Sequence, residues 1–332
     1  MTENKRQLVL DTFDNKPTSR VPVGFWFHFV HPEHQDYRNN PSIIQQNIDG
    51  HKKFFSDFQP DFVKLMSDGF FPYPNPVLMN HKSLQEFESM KPLGENNEWI
   101  TKQVDMVKKQ KATFTYDVAT FYNVFSPSNI IKFMIDTNSL GANAKFADWI
   151  MENKKAVKHA LDTMAIDIAT MVKKVITEGG ADGIYFSVQN IQDPRITKEV
   201  YDEVLLPSEM TIIEAAKSVS NYNMLHICGY DGFLNHLDWY LSYPASCISW
   251  ASTVEHVSLK EGKKLFGGRC VIGGFPNTKE SILFKGTKEE ITAETKRLVE
   301  EAGKVGVIIG ADCSLPYDIS IDHLKWVREA LQ

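Results

Sequence analysis

His226 and Cys228 stand one residue apart, and Cys313 lies near the end of the chain. The run Asn223–Cys228 reads as a β-strand. Side chains alternate along a strand, so His226 and Cys228 share a face at its C-terminal end. Cys313 follows a second apolar run, Val305–Gly310. One imidazole and two thiolates suit Zn2+ far better than Mg2+ or Ca2+. Three protein ligands leave a fourth position open, the mark of a catalytic site rather than a structural one. Its natural occupant is a substrate thiol, which the metal would acidify and keep nucleophilic at neutral pH. Spacing alone leaves a bland reading open, because H-x-C pairs arise by chance and a buried free cysteine behaves as a small hydrophobe. Cys247 and Cys270, both in apolar runs, read as packing residues.

Bringing the three together requires a fold that gathers its strand ends on one rim. Short apolar runs at Val21–His28, Phe62–Ser67, Phe114–Phe121, Gly183–Val188, Asn223–Cys228, Cys247–Ala251, Val271–Gly274 and Val305–Gly310 read as parallel strands covered on both faces. Helices are expected over Ser42–Phe58, with Ser42 as N-cap, and over Ala156–Thr177, ended by Gly179-Gly180. Thr197–Ser218, Thr287–Gly303 and Ser320–Leu331 follow the same pattern, and Thr287-Lys-Glu-Glu290 fits a capping box. Strands alternating with helices give a closed barrel or an open doubly wound sheet, and eight strands favour a (β/α)8 barrel. The proline-rich stretch from Pro72 to about Lys111 reads as an excursion after the second strand, where barrels often cover their active sites. Nothing in the composition divides the chain, so one domain over residues 1–332 is expected.

A formal net charge of -6 and the lack of a basic stripe argue against nucleic-acid binding. No apolar stretch is long enough to span a membrane, and the start of the chain lacks the apolar core of a secretory signal. Four cysteines are too few for a disulfide scaffold, which makes a cytoplasmic location the default. A homodimer is compatible with the sequence.

Other polar residues fall where a rim cleft would be. His28 ends the first strand and is a candidate catalytic residue, whereas His31 and His34 read as solvated loop positions. Gln189 and Asn190 follow the strand Gly183–Val188 and are candidate substrate-binding residues. Asp312 either tunes the Cys313 site or forms the turn. Tyr185 reads as core.

Several segments resemble the uroporphyrinogen decarboxylase superfamily: Arg20-Val-Pro-Val23, Phe62-Val-Lys-Leu-Met-Ser-Asp68, Gly180-Ala-Asp-Gly-Ile184, His226-Ile-Cys-Gly229, Gly273-Gly-Phe-Pro-Asn277 and Ile309-Gly-Ala-Asp-Cys313. The resemblance covers nearly the whole chain and implies a distorted (β/α)8 barrel with its cleft at the strands' C-terminal ends. Asp68 matches the decarboxylases' catalytic Asp by position. The arginine segment that holds porphyrinogen carboxylates is missing, since Phe27-His-Phe-Val-His-Pro-Glu33 stands there. The decarboxylase tyrosine falls on Phe133, with Pro127 as anchor, and its C-terminal histidine falls on Cys313. The corrinoid-linked methyltransferases of the superfamily carry instead an H-x-C and a later Cys as zinc ligands, and His226, Cys228 and Cys313 match residue by residue.

That branch implies methyl transfer from a methylated corrinoid protein to a zinc-bound thiol, such as coenzyme M, or to a tetrahydropterin. No Asp-x-His-x-x-Gly cobalamin motif is present, and Asp49-Gly-His51-Lys-Lys-Phe54 lacks its glycine. The corrinoid would therefore arrive on a separate protein, for which the surface near Gly69-Phe-Phe-Pro-Tyr73 is a candidate. Two other readings stay open: a metal-free decarboxylase of a uroporphyrinogen-like or smaller carboxylate centred on Asp68, and a non-catalytic barrel binding a corrinoid or tetrapyrrole.

Overall fold

Eight short strands pair in parallel in a single sheet: β1 (Val23–Gly24), β2 (Phe62–Leu65), β3 (Ala119–Phe125), β4 (Gly183–Val188), β5 (Met224–Ile227), β6 (Cys247–Trp250), β7 (Cys270–Phe275) and β8 (Val307–Ala311). The order β1-β8-β7-β6-β5-β4-β3-β2 curls the sheet into a nearly closed barrel. At the seam between β1 and β2, side chains replace the backbone ladder. Asp61 accepts both guanidinium arms of Arg20 at 2.7 Å and the backbone N–H of Val23 at 2.9 Å. Gly24 is required there, because a Cβ would lie 1.8 Å from the Phe62 ring. The computed structural model describes residues 3–33, 35–135, 139–190, 193–230 and 232–332, without the side chains of 139–141. The expectation for His34 lies outside the described residues.

Helices surround the sheet in chain order. They are α1 (Lys5–Phe13), α2 (Ser42–Phe58), α3 (Pro76–Asn80), α4 (Glu98–Lys111), α5 (Pro127–Ile135), α6 (Ser139–Glu152), α7 (Lys154–Thr177), α8 (Lys198–Val200), α9 (Leu206–Lys217), α10 (Leu259–Leu265), α11 (Ile282–Lys285), α12 (Lys288–Ala302) and α13 (Ile321–Glu329). A π-helical turn, Tyr201–Leu205, joins α8 to α9. The excursion after β2 holds α3, a 3-10 turn at Leu84–Ser89 and α4. The apolar stripe of α7 is buried along its length, from Val157 to Val175. The Thr287–Glu290 capping box forms as the sequence predicts.

The differences from expectation are local. β3 starts at Ala119 instead of Phe114, because the aromatic side chains before it pack outside the barrel: Phe114 and Tyr116 stack on Phe55 of α2 at 4.5 and 4.3 Å. β1 is only two residues long, and the extended chain beyond it keeps one bridge, Phe27 to Leu315. Pro41, not Ser42, occupies the N-cap of α2, and the Ser42 hydroxyl donates to Asn40 instead.

The barrel interior divides into two layers. The lower layer is apolar: Phe62, Phe121, Tyr185, Met224, Cys247, Cys270, Ile272 and Ile308 form one cluster, and Val9, Leu10 and Phe13 of α1 plug it from below. The strand alternation that buries these side chains brings Lys64, Asn123, Ser187 and His226 to the upper layer, where they line a cavity.

Candidate metal centre and the cavity around it

A cavity of about 180 Å³ lies at the C-terminal ends of the strands, lined by His28, Lys64, Met66, Asn123, Lys132, Phe133, Gln189, His226, Cys228 and Cys313 among others. Three expected ligands converge in it. The donor atoms of His226, Cys228 and Cys313 all lie within 4.8 Å of one another, and Cys313 Sγ is 3.6 Å from His226 Nε2. A tetrahedral zinc with Zn–S of about 2.3 Å and Zn–N of about 2.0–2.1 Å sets sulfur and nitrogen roughly 3.6 Å apart. The donor set therefore fits the metal in chemistry, and the Cys313–His226 separation fits it in spacing.

Each ligand is held from behind. His226 Nδ1 lies 3.1 Å from the Ser249 hydroxyl on the neighbouring strand, which leaves Nε2 for the site. The Cys228 carbonyl accepts from Asn235 Nδ2 at 3.0 Å, and the same amide donates to Glu255 at 2.7 Å. Gly229 is compelled by this arrangement, since a Cβ would lie 2.3 Å from the Glu255 carboxylate. Beside Cys313, buried Asp312 accepts from the Ser252 hydroxyl at 2.7 Å and from the Thr253 N–H at 2.9 Å. Both thiol loops are thus tied to the segment that follows β6. Burial pushes the carboxyl groups of Glu255 and Asp312 above their ordinary range.

In the metal-free pair the two thiols are unequal. A hydrogen bond from Cys228 holds the Cys313 thiol well below its ordinary value, with His226 and Lys64 adding to the effect. Cys228, the donor and itself buried, is pushed up.

His28 lines the cavity, but Asp68 does not. Asp68 is fully buried at a left-handed φ of 47°, and its carboxylate lies 3.1 Å from His28 Nδ1. It also accepts from Asn47 at 2.6 Å and from the Phe29 N–H at 3.2 Å. Aspartate fixes the ring by Nδ1 and leaves Nε2, 3.7 Å from Glu33, as the atom able to take a proton.

Gln189 reaches the cavity and accepts from Lys132 at 2.7 Å. Asn190 is absent from the cavity lining; its amide brackets the backbone of His236, donating at 2.7 Å and accepting at 3.0 Å. Phe133 presents an aromatic ring without a hydroxyl to the cavity.

Two lysines were missed in the sequence. Burial pulls Lys64 down to about 8 and Lys132 to about 7, opposed in both by nearby thiols. The available signal for Lys64 was its spacing: it alternates with Phe62 and Met66 on an otherwise apolar strand.

A family model described as uroporphyrinogen decarboxylase (URO-D) matches residues 66–332. No curated protein matches the chain. Among solved structures, the chain is similar to a methyltransferase from Methanosarcina mazei, at 16% identity over 98% of each chain with a TM-score of 0.65. It is also similar to a B12-independent methionine synthase from Shewanella sp. W3-18-1 in complex with selenomethionine. There the identity is 14% over 94% of this chain and 97% of that one, with a TM-score of 0.59. At these identities the likeness is one of fold.

Proposed function

This chain belongs to the uroporphyrinogen decarboxylase family, and from that premise we propose that it is a zinc-dependent methyltransferase, one barrel domain over residues 1–332. It moves a methyl group from a methylated corrinoid protein to a thiol, or to a similar acceptor such as a tetrahydropterin. The observation that carries this reading is the convergence of His226, Cys228 and Cys313 in one cavity at a spacing that suits a tetrahedral metal.

Zinc, when bound there, supplies a Lewis acid that lowers the pKa of an acceptor thiol and keeps it nucleophilic. The protein's own residues do the rest. His226, Cys228 and Cys313 hold the centre, and Ser249 fixes the imidazole tautomer. His28, oriented by Asp68, accepts the proton of the incoming thiol at Nε2. A corrinoid delivered by a partner protein would supply the methyl group: the acceptor sulfur would gain the C–S bond, and the electron pair of the broken bond would stay with the donor. Gln189 and Lys132 form a polar wall for the acceptor, while Asn190 anchors the loop at His236.

The decarboxylase reading is weaker on two counts. Asp68 is already engaged by three donors and does not line the cavity. The cavity's 180 Å³ is also below the roughly 300–1,000 Å³ typical of pockets for drug-sized ligands, which disfavours a tetrapyrrole held wholly inside it. The same limit weighs against an enclosed corrinoid carrier. Elemental analysis of the purified protein tests the proposal. Near-stoichiometric zinc, lost in Cys228→Ser and Cys313→Ser, is expected. A protein that holds no zinc and takes none up on addition sinks the reading.

A further inference from the structure

Lys64 is a buried cation whose position no structural requirement explains. It shares the interior face of β2 with Phe62 and Met66, and the residue is only 5% exposed. Its ammonium lies 3.8 Å from the ring centroid of Tyr185 and 5.2 Å from that of Trp26. Among the described residues it has neither a hydrogen-bond acceptor nor an ion-pair partner, yet it lines the same cavity as the three metal-binding candidates. An isolated ammonium in a low-dielectric interior is costly, and aromatic faces recover only part of that cost. The groups that act to keep it charged are, in order, the thiols of Cys313 and Cys228 and then Asp68. Asp68 is already hydrogen-bonded by His28, Asn47 and the Phe29 N–H.

We propose that Lys64 is the fixed counter-charge of the thiol-binding centre, offsetting the negative charge that appears when an acceptor thiol binds there as thiolate. The inference rests on the metal reading above. A divalent cation and two cysteine thiolates sum to zero, and a neutral imidazole changes nothing. An acceptor thiolate brings the sum to one negative charge among buried side chains, where charge is poorly screened. Once His28 has passed the thiol proton on to solvent, the Lys64 ammonium returns it to zero, while Lys132, the other lysine of the cavity, is bonded to Gln189 beside Glu209. On this account Lys64 is a positioning residue of the electrostatic kind: it selects the ionised form of the acceptor without touching the reacting sulfur. It does so for any thiol, whatever else the molecule carries.

Cobalt(II) in place of zinc makes the test optical, because a thiolate bound to Co2+ gives a near-ultraviolet charge-transfer band. Wild-type and Lys64→Met proteins, both loaded with Co2+, are titrated with 2-mercaptoethanol and with 3-mercaptopropionate across pH. The expected result is that both proteins load to the same Co2+ stoichiometry at saturating metal. In the variant, the pH midpoint of the thiol-dependent band moves up by about one unit, and both thiols bind about tenfold more weakly at pH 7. Lys64→Arg is expected to restore most of the loss. Lys64→Gln serves the same comparison if the methionine variant does not fold. Weakening confined to 3-mercaptopropionate overturns the proposal and makes Lys64 an anchor for a substrate acid group. Unchanged binding of both thiols overturns it in favour of packing alone. A wild-type protein that takes up no Co2+ overturns the metal reading and this inference with it, a result distinct from any change in the variant.

Discussion

The four cysteines form two pairs inside one barrel, and the pairs differ in everything but their side chains. Cys247 and Cys270 face each other across β6 and β7 in the lower layer, fully buried beside Met224, Ile272 and Phe121, above the α1 plug. Burial and the bond to Cys270 push the Cys247 thiol up, which keeps it protonated and inert. Cys228 and Cys313 sit in the upper layer with an imidazole 3.6 Å from one sulfur and two lysines around the cavity, and Cys313 is pushed down. The composition of the surrounding layer decides whether a thiol packs or binds. Apolar neighbours make a sulfur a hydrophobe, and polar neighbours within reach of one another make it a ligand.

The sharpest way to break that contrast is to remove one sulfur from each layer. Cys228→Ser or Cys313→Ser is expected to lose the metal and to lower methyl transfer by about 10³-fold or more, since the site keeps too few ligands. Cys270→Ser should keep stoichiometric zinc and activity within about twofold of the wild type. Zinc analysis and turnover on the same preparations decide the matter. Metal loss from the lower-layer variant would show that the layers are not independent.

Lys64 carries the contrast into stability. In the metal-free protein it loses its proton near pH 8, against 10.5 for an ordinary lysine. Between those values the unfolded chain binds the extra proton, so folding stability rises with pH. The gain is about 3 kcal/mol for a shift of this size. Urea unfolding of metal-free wild type at pH 7.5 and pH 10 should show this rise relative to Lys64→Met. The variant should be the more stable of the two at the lower pH. Parallel pH profiles would mean that the upper layer bears no such cost.

In the proposed function the His28–Asp68 pair, bonded at 3.1 Å, is assigned to the proton chemistry of the upper layer and not to its metal. His28→Ala or Asp68→Asn is expected to reduce turnover about 10²-fold while leaving zinc in place. Excess alkali should narrow the gap for His28→Ala, because hydroxide then removes the thiol proton. Loss of zinc in either variant would instead assign the pair to holding the site.

How much of this was legible follows from the same two layers. His226 and Cys228 could be placed together because strand alternation is a local rule, and Cys313 because a barrel gathers its strand ends on one rim. The extent of α2 and the capping box of α12 were readable for the same reason: their signals lie within a few residues of each other. β3 was misplaced because Phe114 and Tyr116 have the composition of a strand, but pack on a helix distant in sequence. Asn190 could not be told from Gln189, since only the fold sets one against Lys132 and the other against His236. Lys64 and Lys132 were passed over because a lysine in an apolar run suggests a surface edge until the barrel closes around it.

The smallest effect is expected where the lower layer is only packing. Cys247→Ala removes a buried sulfur from a well-filled cluster and should cost about 1 kcal/mol, read as a lower urea midpoint at unchanged slope. Metal content and turnover should not move. The matching chemical test uses iodoacetamide on native metal-free protein, with mass spectrometry of the peptides. Cys313 should be modified first, because it is the more ionised thiol and lines a cavity. Cys247 and Cys270 should react only after unfolding. Zinc added beforehand should protect Cys313 and Cys228 and leave the other pair as it was. If protection instead extends to Cys247, the lower layer opens whenever the upper one is empty, and the metal then contributes to the fold as well as to the chemistry.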